Sequence, residues 1–193
     1  MAGGVGCGDE NHTDACGVRR ECPILHKPHK PLFQYDIVER AIRRVSGKPE
    51  GELTNADLDY VAVLVLGDTK IKDAALKEVA KLKNLTRLYL QTTQITDAGL
   101  QEVAKLKKLA ELIIIGTQVT DAGIKEMAKL KKLTGLFMNG TQISDTGHKD
   151  VAKMENLTVL NLGRCKQITD RGLKEVAKLK KLTVLTLYEN QIT

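Results

Sequence analysis

Residues 85–108, LTRLYLQTTQITDAGLQEVAKLKK, decide the fold because this stretch recurs along most of the chain. The period is 24 residues, and one copy carries a single additional residue. The other copies lie at residues 61–84, 109–132, 133–156, 157–181 and, as a half copy, 182–193. A fixed period of roughly 20–50 residues indicates a solenoid, in which each copy packs only against its neighbours. The chain is therefore predicted to be a stack of similar units.

Each copy pairs a strand pattern with a helix pattern. Leu88 and Leu90 alternate with Arg87, Tyr89 and Gln91, and this two-residue period is typical of a half-buried strand. Farther along, Leu100, Val103 and Ala104 lie at helical spacing and form one apolar stripe. Stacked copies would enclose a continuous core between a parallel sheet and a row of helices. We predict six parallel strands, five helices after them, and a buried column made of Leu88, Leu112, Leu136, Leu160 and Leu185.

The motif L-x-x-L-x-L-x-x-T-x-I-T-D-x-G-L-x-x-V-A-x-L, repeated over residues 61–193, resembles the leucine-rich repeat family. The resemblance implies an α/β fold: a right-handed leucine-rich-repeat solenoid, or horseshoe, with a parallel β-sheet on the concave face and α-helices on the convex face. The family usually has asparagine at the ninth position, bonded to neighbouring backbone. Threonine can also donate and accept hydrogen bonds, so we expect the ladder to persist here. The ninth position is occupied by Thr69, Thr93, Thr117, Thr141, Cys165 and Asn190.

A different pattern precedes the repeats. Residues 36–45, DIVERAIRRV, predict an amphipathic helix that ends near Gly47. Thr54 and Asp57 then have the spacing of a capping box. The segment resembles the N-terminal cap of bacterial internalin-like proteins, which implies that it covers the first repeat and that the chain is bacterial. The predicted domains are a flexible Cys/His-containing tail at 1–31, a helical cap at 32–60, and repeats at 61–193, comprising five full copies and one half copy.

The tail holds three of the four cysteines. Cys7, Cys16, Cys22 and His26 have a spacing that resembles the CCCH zinc fingers, so they are candidate ligands for a tetrahedral zinc ion. The stacking aromatic residues of those fingers are missing, which argues against RNA binding. Two alternatives remain open. Cys7 could end a trimmed lipoprotein signal with a Cys16–Cys22 disulfide, or the cysteines could share no role. Localisation is cytoplasmic by default, because no signal peptide is visible, or exported or lipid-anchored if one was trimmed.

Charge and hydropathy exclude some classes of protein. No apolar run is long enough to span a membrane. The formal net charge is +6, and residues 61–193 hold 22 basic and 14 acidic residues. Each helix carries a carboxylate three residues before a lysine, as in Glu102 and Lys105, which predicts ion pairs on a solvated face. This pairing argues against nucleic acid as a partner, although a zinc-finger-tailed adaptor associated with nucleic acid remains an alternative.

The sequence carries no signature of an enzyme. It lacks a Gly-rich phosphate loop, a His-Glu-x-x-His motif and a nucleophile elbow. His148 is the only histidine in the repeats, in a helix position otherwise held by leucine or isoleucine, and we expect it to be buried and neutral. The aspartates recur in every full copy and are predicted to be helix N-caps. They are Asp73, Asp97, Asp121, Asp145 and Asp170.

Variable residues at the outward strand positions predict a binding surface. Aromatic residues are scarce in the chain, yet Tyr89, Phe137 and Tyr188 fall at these positions. Apolar side chains exposed together indicate an interface, so the chain is predicted to be a protein-binding module that uses its concave face. The partner is an unidentified protein. The candidate contact residues are Arg87, Tyr89, Glu111, Ile113, Ile115, Phe137, Asn139, Asn161 and Tyr188.

The last copy suggests an alternative function. Leu182, Leu185, Leu187 and Ile192 have no following repeat to cover them. Burying one such side chain stabilises a protein by roughly 1.5–3 kcal/mol, so an open end favours a covering partner or a longer chain. The alternative is therefore a structural or assembly element that self-associates through its C-terminal repeat.

Overall fold

Each 24-residue copy contributes one strand and one helix in the computed structural model, which describes residues 36–192. The strands are β1 Val63–Val65, β2 Arg87–Tyr89, β3 Glu111–Ile113, β4 Gly135–Phe137, β5 Val159–Asn161 and β6 Val184–Thr186. The helices of the repeats are α3 Asp73–Val79, α4 Asp97–Val103, α5 Asp121–Met127, α6 Asp145–Val151 and α7 Asp170–Val176. The helices before the repeats are α1 Asp36–Ser46 and α2 Asn55–Asp59.

The six strands form one open parallel sheet in chain order, which confirms the predicted α/β solenoid. Neighbouring strands pair with a shift of one whole copy, so that Leu88 pairs with Leu112 and Leu136 with Leu160. These four leucines are fully buried, as predicted. The expected burial of Leu185 is wrong: 40% of this residue is exposed. It lies on β6, and the described residues place no strand beyond it.

Two layers enclose the core. Leu88 and Leu90 project from the sheet side, and Leu100 and Val103 project from the helix side, all without solvent exposure. Leu106, between α4 and the next strand, closes the layer at one end. The same positions are filled in the neighbouring copies, so the core is continuous from β1 to β5.

The cap helix α1 covers the β1 side of this core. Val38 and Ile42 are fully buried, whereas Val45, near the end of the same helix, is 45% exposed. Thr54 and Asp57 form the predicted capping box at α2. Lys48 donates to the Asp57 carboxylate at 2.8 Å. This hydrogen bond, followed by those from Thr54, lowers the pKa of Asp57 to about 2.

The recurring aspartates have a different role from the predicted one. The N-cap of α4 is Thr96, whose hydroxyl oxygen accepts from the Ala98 N–H, and Asp97 is the first helical residue. The carboxylate instead reaches the next copy. Asp97 accepts from the backbone N–H of Thr120 at 2.8 Å and from its hydroxyl at 2.6 Å. Asp73, Asp121 and Asp145 make the same two bonds to the N-caps that follow them, Thr96, Ser144 and Thr169.

A glycine in each helix makes room for that carboxylate. A Cβ atom added to Gly123 would lie 2.5 Å from Oδ1 of Asp97 and 3.0 Å from Cδ1 of Leu100. Gly99, Gly147 and Gly172 face the preceding aspartate in the same way. The first copy is the exception, since it has Ala75 at this position and Lys72 in place of the threonine cap. The glycines are therefore required where one repeat helix approaches another.

The ninth-position threonines close turns within their own copies. The hydroxyl of Thr93 donates to the carbonyl of Leu90 at 2.7 Å, and Thr117 and Thr141 repeat this bond. Asn190 and Cys165 instead reach backwards to the preceding copy. Asn190 accepts from the Cys165 N–H and donates to the Leu162 carbonyl, and the Cys165 thiol donates to the Met138 carbonyl. The expected ladder therefore persists as local turns at the threonines and as bridges between copies at Cys165 and Asn190.

In every copy, the residue before the ninth position has a left-handed backbone conformation. Its φ is +54° at Thr92, +64° at Gly116 and +66° at Gly140. Asp68, Arg164 and Glu189 adopt the same conformation. Left-handed backbone costs an L-residue about 1–2 kcal/mol, and β-branched residues are especially rare there. Thr92 is therefore the strained member of this column.

The predicted tail at 1–31, with the candidate zinc ligands Cys7, Cys16, Cys22 and His26, lies outside the described residues. The alternatives of a disulfide, an acylated cysteine or no shared role lie there as well. The zinc site consequently remains a prediction from the sequence.

The glycine gap can be tested with Gly123→Ala. We expect a loss of about 2 kcal/mol in the free energy of unfolding, because the methyl group would displace the Asp97 carboxylate from Thr120. In an Asp97→Ala background the same change should cost less, since the nearest clashing atom is gone. Chemical denaturation of the four proteins measures this coupling. Equal costs in both backgrounds would contradict the proposed contact.

The strained turn can be tested by exchanging its residues. Thr92→Gly should raise the free energy of unfolding by up to about 1 kcal/mol, because relief of the left-handed strain exceeds the added entropy of the unfolded chain. The reciprocal control is Gly116→Thr, which should lower stability although no atom lies within 4 Å of the added Cβ. Destabilisation by Thr92→Gly, measured by thermal unfolding, would show that the Thr92 side chain matters more than its backbone strain.

Candidate functional site

The strand face is the surface formed by the residues that point away from the core along β1 to β6, together with the residues just after each strand. Strand pairing sets Arg87 beside Glu111 and Tyr89 beside Ile113. It also sets Ile113 beside Phe137, and Phe137 beside Asn161. The predicted contact residues on the strands are thus neighbours on one surface. Neighbouring strands lie about 4.8 Å apart, so side chains on them can touch.

The first part of the strand face is apolar and partly self-covered. Ile113 is only 7% exposed, whereas Tyr89, Ile115 and Phe137 are half-buried. Ile113 lies between Tyr89 and Phe137 in the strand register and is the most covered of the set. This region, Tyr89, Ile113, Ile115 and Phe137, is the apolar patch. It therefore offers a partner two half-buried aromatic side chains, those of Tyr89 and Phe137.

A charged pair borders the apolar patch. The Arg87 guanidinium lies 3.6 Å from the Glu111 carboxylate, and the Arg87 side chain is 58% exposed. The Phe137 ring leans over Gly135, where an added Cβ would lie 3.4 Å from Cε2 of the ring and 3.2 Å from Cγ of Glu111. The absence of a side chain at Gly135 therefore leaves room for Phe137 and Glu111 to approach one another.

The second part of the strand face is polar and is organised by Tyr188. Its ring occupies the space over Gly163, where an added Cβ would lie 2.3 Å from Cε1. The Tyr188 hydroxyl accepts from Nδ2 of Asn139 at 2.9 Å, so one side chain spans two copies. Asn139 is 5% exposed, and its Oδ1 has no hydrogen-bond partner among the residues that the structure describes. Gln91 lies over Gly67 in a similar way.

Sequence analysis missed two residues beside Tyr188. Arg164 lies 5.7 Å from the centre of the Tyr188 ring and donates to the Glu189 carboxylate at 2.9 Å. Hydrogen bonding and charge interaction with Glu189 raise the pKa of Arg164 above its usual value. Both residues occupy the left-handed position before the ninth. The residue at this position directly follows the strand face in every copy, and alignment of the copies would have shown this.

The nine predicted contact residues differ in how much they offer a partner. Arg87 and Tyr188 are exposed, and Tyr89, Glu111, Ile115, Phe137 and Asn161 are half-buried. Ile113 and Asn139 are buried and can only shape the surface. Their participation in binding remains a prediction.

His148 is buried in the helix layer and does not face an opening. Its Nδ1 lies 2.8 Å from the Ser144 carbonyl oxygen, so the ring donates there, and its Nε2 has no partner among residues 36–192. Burial lowers the pKa of His148, although the Ser144 hydrogen bond and the charges of Asp145 and Asp121 act in the opposite direction. The neutral ring is the form that this packing favours.

The Asp145 carboxylate near His148 already has partners. Burial alone would raise the pKa of Asp145, but the two hydrogen bonds from Thr169 outweigh it and the pKa is lowered. Cys165 is fully buried, donates from Sγ to the Met138 carbonyl at 3.3 Å, and has its pKa raised by burial. Its thiol is therefore held protonated within the stack.

The helix-face lysines that follow a carboxylate by three residues are paired as predicted. Lys105 lies 2.6 Å from Glu102 and Lys178 lies 2.5 Å from Glu175, each across one helical turn. Lys81, Lys129 and Lys153 form the same pair with Glu78, Glu126 and Asp150. Such exposed pairs contribute about 0–1 kcal/mol each, but they neutralise the charge of this face.

Within residues 36–192, no group of three or more histidine, cysteine, aspartate or glutamate side chains is arranged to hold a metal ion. No helix in the same range is long and apolar enough to cross a membrane.

Comparisons with known proteins identify similar repeats. The family model described as Leucine Rich repeat matches residues 81–104 and 153–177. The chain is similar to the structure of an internalin, inlF, from Listeria monocytogenes, with 27% identity and a TM-score of 0.69. That match covers 88% of this chain and 48% of the other, so the chain spans about half of that internalin. Another internalin of that organism, inlC2, matches at 24% identity and a TM-score of 0.39, over 81% of this chain and 96% of its own. No curated protein matches.

The burial of His148 predicts a pH dependence of stability. Because the folded-state pKa lies below the unfolded value of about 6.5, the unfolded chain binds a proton first as pH falls. Stability should therefore be complete above about pH 6.5 and decline below it, until the folded-state pKa is reached. His148→Leu should remove this component and be as stable as the parent, or more stable, at neutral pH. Denaturation of both proteins across pH measures the difference, and an unchanged pH profile would contradict the assignment.

Proposed function

Because the chain is a leucine-rich-repeat protein, we propose that it is a protein-binding module that holds its partner on the strand face. Leucine-rich-repeat solenoids commonly serve as protein-interaction modules, and repeat stacking gives them extended binding surfaces. The similarity to internalins of Listeria monocytogenes supports a bacterial origin.

The observation that carries the proposal is the half-exposed state of Tyr89 and Phe137. They lie on either side of the covered Ile113, two copies apart, and Arg87 borders them with more than half of its side chain exposed. Tyrosine and arginine are enriched among residues that dominate binding energies, especially at the centre of an interface. Aromatic side chains that already contact neighbours also lose little conformational freedom when a partner covers them.

The residues around the apolar patch fit such a centre. Arg87 and Glu111 supply charges on one side, and Asn161 supplies an amide on the other. An interface of this type has an apolar middle that excludes water and a polar rim that sets orientation. Tyr188 and Arg164 extend the polar rim along the later copies.

Self-association through β6 is the alternative function. Val184 and Leu185 on this strand are 48% and 40% exposed, and β6 is the last strand of the described sheet. An uncovered strand presents unpaired backbone groups to another chain. In that case the partner would be a second copy, and the apolar patch would be dispensable.

The strand-face role can be tested with Tyr89→Ala combined with Phe137→Ala. Neither ring fills the core, so thermal unfolding should remain cooperative. Binding should weaken by about 2 kcal/mol or more, because two aromatic anchors are removed. The measurement is affinity capture from an extract of the source organism, followed by titration of the captured protein against the purified variants.

The matched control is Lys105→Ala combined with Lys129→Ala on the helix face. It also changes two residues, one of them in the same copy as Tyr89, and should leave binding within about twofold, since exposed ion pairs contribute little. Loss of binding in this control, with retention in the aromatic variant, would move the interface to the helices. Retention in both, with loss on Leu185→Asp, would favour β6.

A further inference from the structure

The excess positive charge of the repeats is concentrated on one edge of the solenoid. Two positions precede the leucine that leads into each strand, and over the five full copies they hold seven lysines, two asparagines and one glutamate. All seven lysines are exposed. Together they form the lysine edge, which consists of Lys83, Lys107, Lys108, Lys131, Lys132, Lys180 and Lys181.

Within the part of the chain that the structure describes, none of the seven edge lysines lies within 4.0 Å of a carboxylate oxygen. Five helix-face lysines, one in each full copy, pair with glutamate or aspartate there. The other basic residues of the repeat helices are matched in number by the five recurring aspartates at the helix starts, so the helix face has no excess charge. Glu155 is the one acidic residue at the ten positions, and it forms no ion pair among the described residues. The lysine edge therefore keeps its full charge.

Neutral groups hold several of the ammonium groups along the edge. Lys108 donates to the Asn84 side-chain oxygen at 2.6 Å, and Lys181 makes the same bond to Asn156. Lys107 donates to the Ala104 carbonyl at 2.7 Å, at the end of α4. Helix ends account for some of this preference for lysine, because their carbonyls carry partial negative charge. They do not account for Lys108 and Lys181, which bond instead to the preceding copy.

A shallow groove runs across this edge. Its volume is about 490 Å³, and Lys108, Lys131, Lys132, Lys181 and Asn156 are among the residues that line it. No carboxylate lines the groove. Four lysines around one depression raise the local positive potential and would attract anionic groups at low ionic strength.

The array is two-dimensional rather than linear. Lysine pairs lie along the connecting loops at 107–108, 131–132 and 180–181, and the loop between the last two pairs holds Glu155 and Asn156. Neighbouring loops have the spacing of the strands, about 4.8 Å on the sheet side. A single polyanionic strand would follow one row, whereas a flat anionic surface can meet both rows at once. The edge presents no arginine, and within its ten positions no aromatic residue that could stack on a base.

An exposed tyrosine stands at the cap end of the lysine edge. The Asn84 side chain donates to the Asp59 carbonyl at 2.9 Å, which brings the end of α2 to this edge. The next residue, Tyr60, is 82% exposed. Tyrosine is favoured at membrane–water interfaces, where its ring is apolar and its hydroxyl remains hydrated. A basic array with a tyrosine beside it favours lipid headgroups over a phosphodiester backbone.

We propose that the lysine edge docks this protein on an anionic lipid surface. In this orientation the amino-terminal ends of the strands face the lipid surface. The strand face then points along the membrane plane and remains open to a partner. Attachment is electrostatic and reversible, with lysines near the headgroups of anionic lipids and Tyr60 at the interface. This inference does not depend on the proposed protein-binding role.

The test uses vesicles of phosphatidylcholine with about 30% phosphatidylglycerol, compared with vesicles of phosphatidylcholine alone, at about 50 mM and about 300 mM salt. The full chain should co-sediment with the anionic vesicles at low salt, and should be released at high salt or when the anionic lipid is omitted. Tyr60→Ala should weaken this binding severalfold.

Two variants, each of which loses four positive charges, distinguish an effect of the lysine edge from an effect of net charge. Lys108→Gln, Lys131→Gln, Lys132→Gln and Lys181→Gln together should weaken vesicle binding at least tenfold. The matched control removes four helix-face lysines by Lys105→Gln, Lys129→Gln, Lys153→Gln and Lys178→Gln, and should change binding by about twofold or less. Circular dichroism and thermal unfolding verify that both variants fold.

Three results would overturn the proposal. Equal weakening by both variants would show that only net charge matters. Absence of vesicle binding by the parent protein at low salt would remove the proposed surface altogether. Binding to a duplex DNA of about 20 base pairs, lost in the edge variant and not accompanied by vesicle binding, would assign the lysine edge to nucleic acid instead.

Discussion

The hydrogen bonds from each aspartate to the next helix cap are the constraint on which the stack depends. Asp97 accepts two bonds from Thr120, and the same hydroxyl accepts from the backbone of its own helix. One threonine thus caps its helix and fixes the distance to the preceding one. Gly123 completes the arrangement, because any larger residue would occupy the carboxylate's place. The apolar core favours stacking in general, whereas these directional bonds set the height of each step.

Much of the fold could be predicted from the sequence because each copy repeats the same evidence. The alternation around Leu88 and the helical spacing of Leu100 recur, so six strands and five helices followed from the 24-residue period. The capping box of Thr54 and Asp57 depends on residues only three positions apart, so it could also be predicted, and it is present. The role of Asp97 was not predictable in this way. A carboxylate beside a helix start usually indicates a cap, and its use in the following copy becomes visible only when two copies are packed together.

Prediction of the site was less complete, for related reasons. Period-2 alternation showed which side chains leave the core, and strand pairing places Tyr89, Ile113 and Phe137 side by side. Alternation says nothing about side chains that lean across copies, so the burial of Ile113 and Asn139 was not foreseen. Tyr188 reaches Asn139 only because Gly163 leaves a gap between them. The lysine edge was also overlooked, since counting charge did not separate paired from unpaired lysines.

The connection between helices also has a consequence for how such a chain can evolve. Every interface from α3 to α7 uses the same aspartate and the same threonine or serine cap, so a middle copy meets identical neighbours on both sides. Duplication of a whole unit would require no new contacts, whereas the first copy, with Lys72 and Ala75, is not interchangeable with the rest. The extra residue after Cys165 leaves the bond from Asp145 to Thr169 intact. That loop therefore tolerates an inserted residue. The number of repeats can change by duplication during evolution while the spacing between them stays fixed.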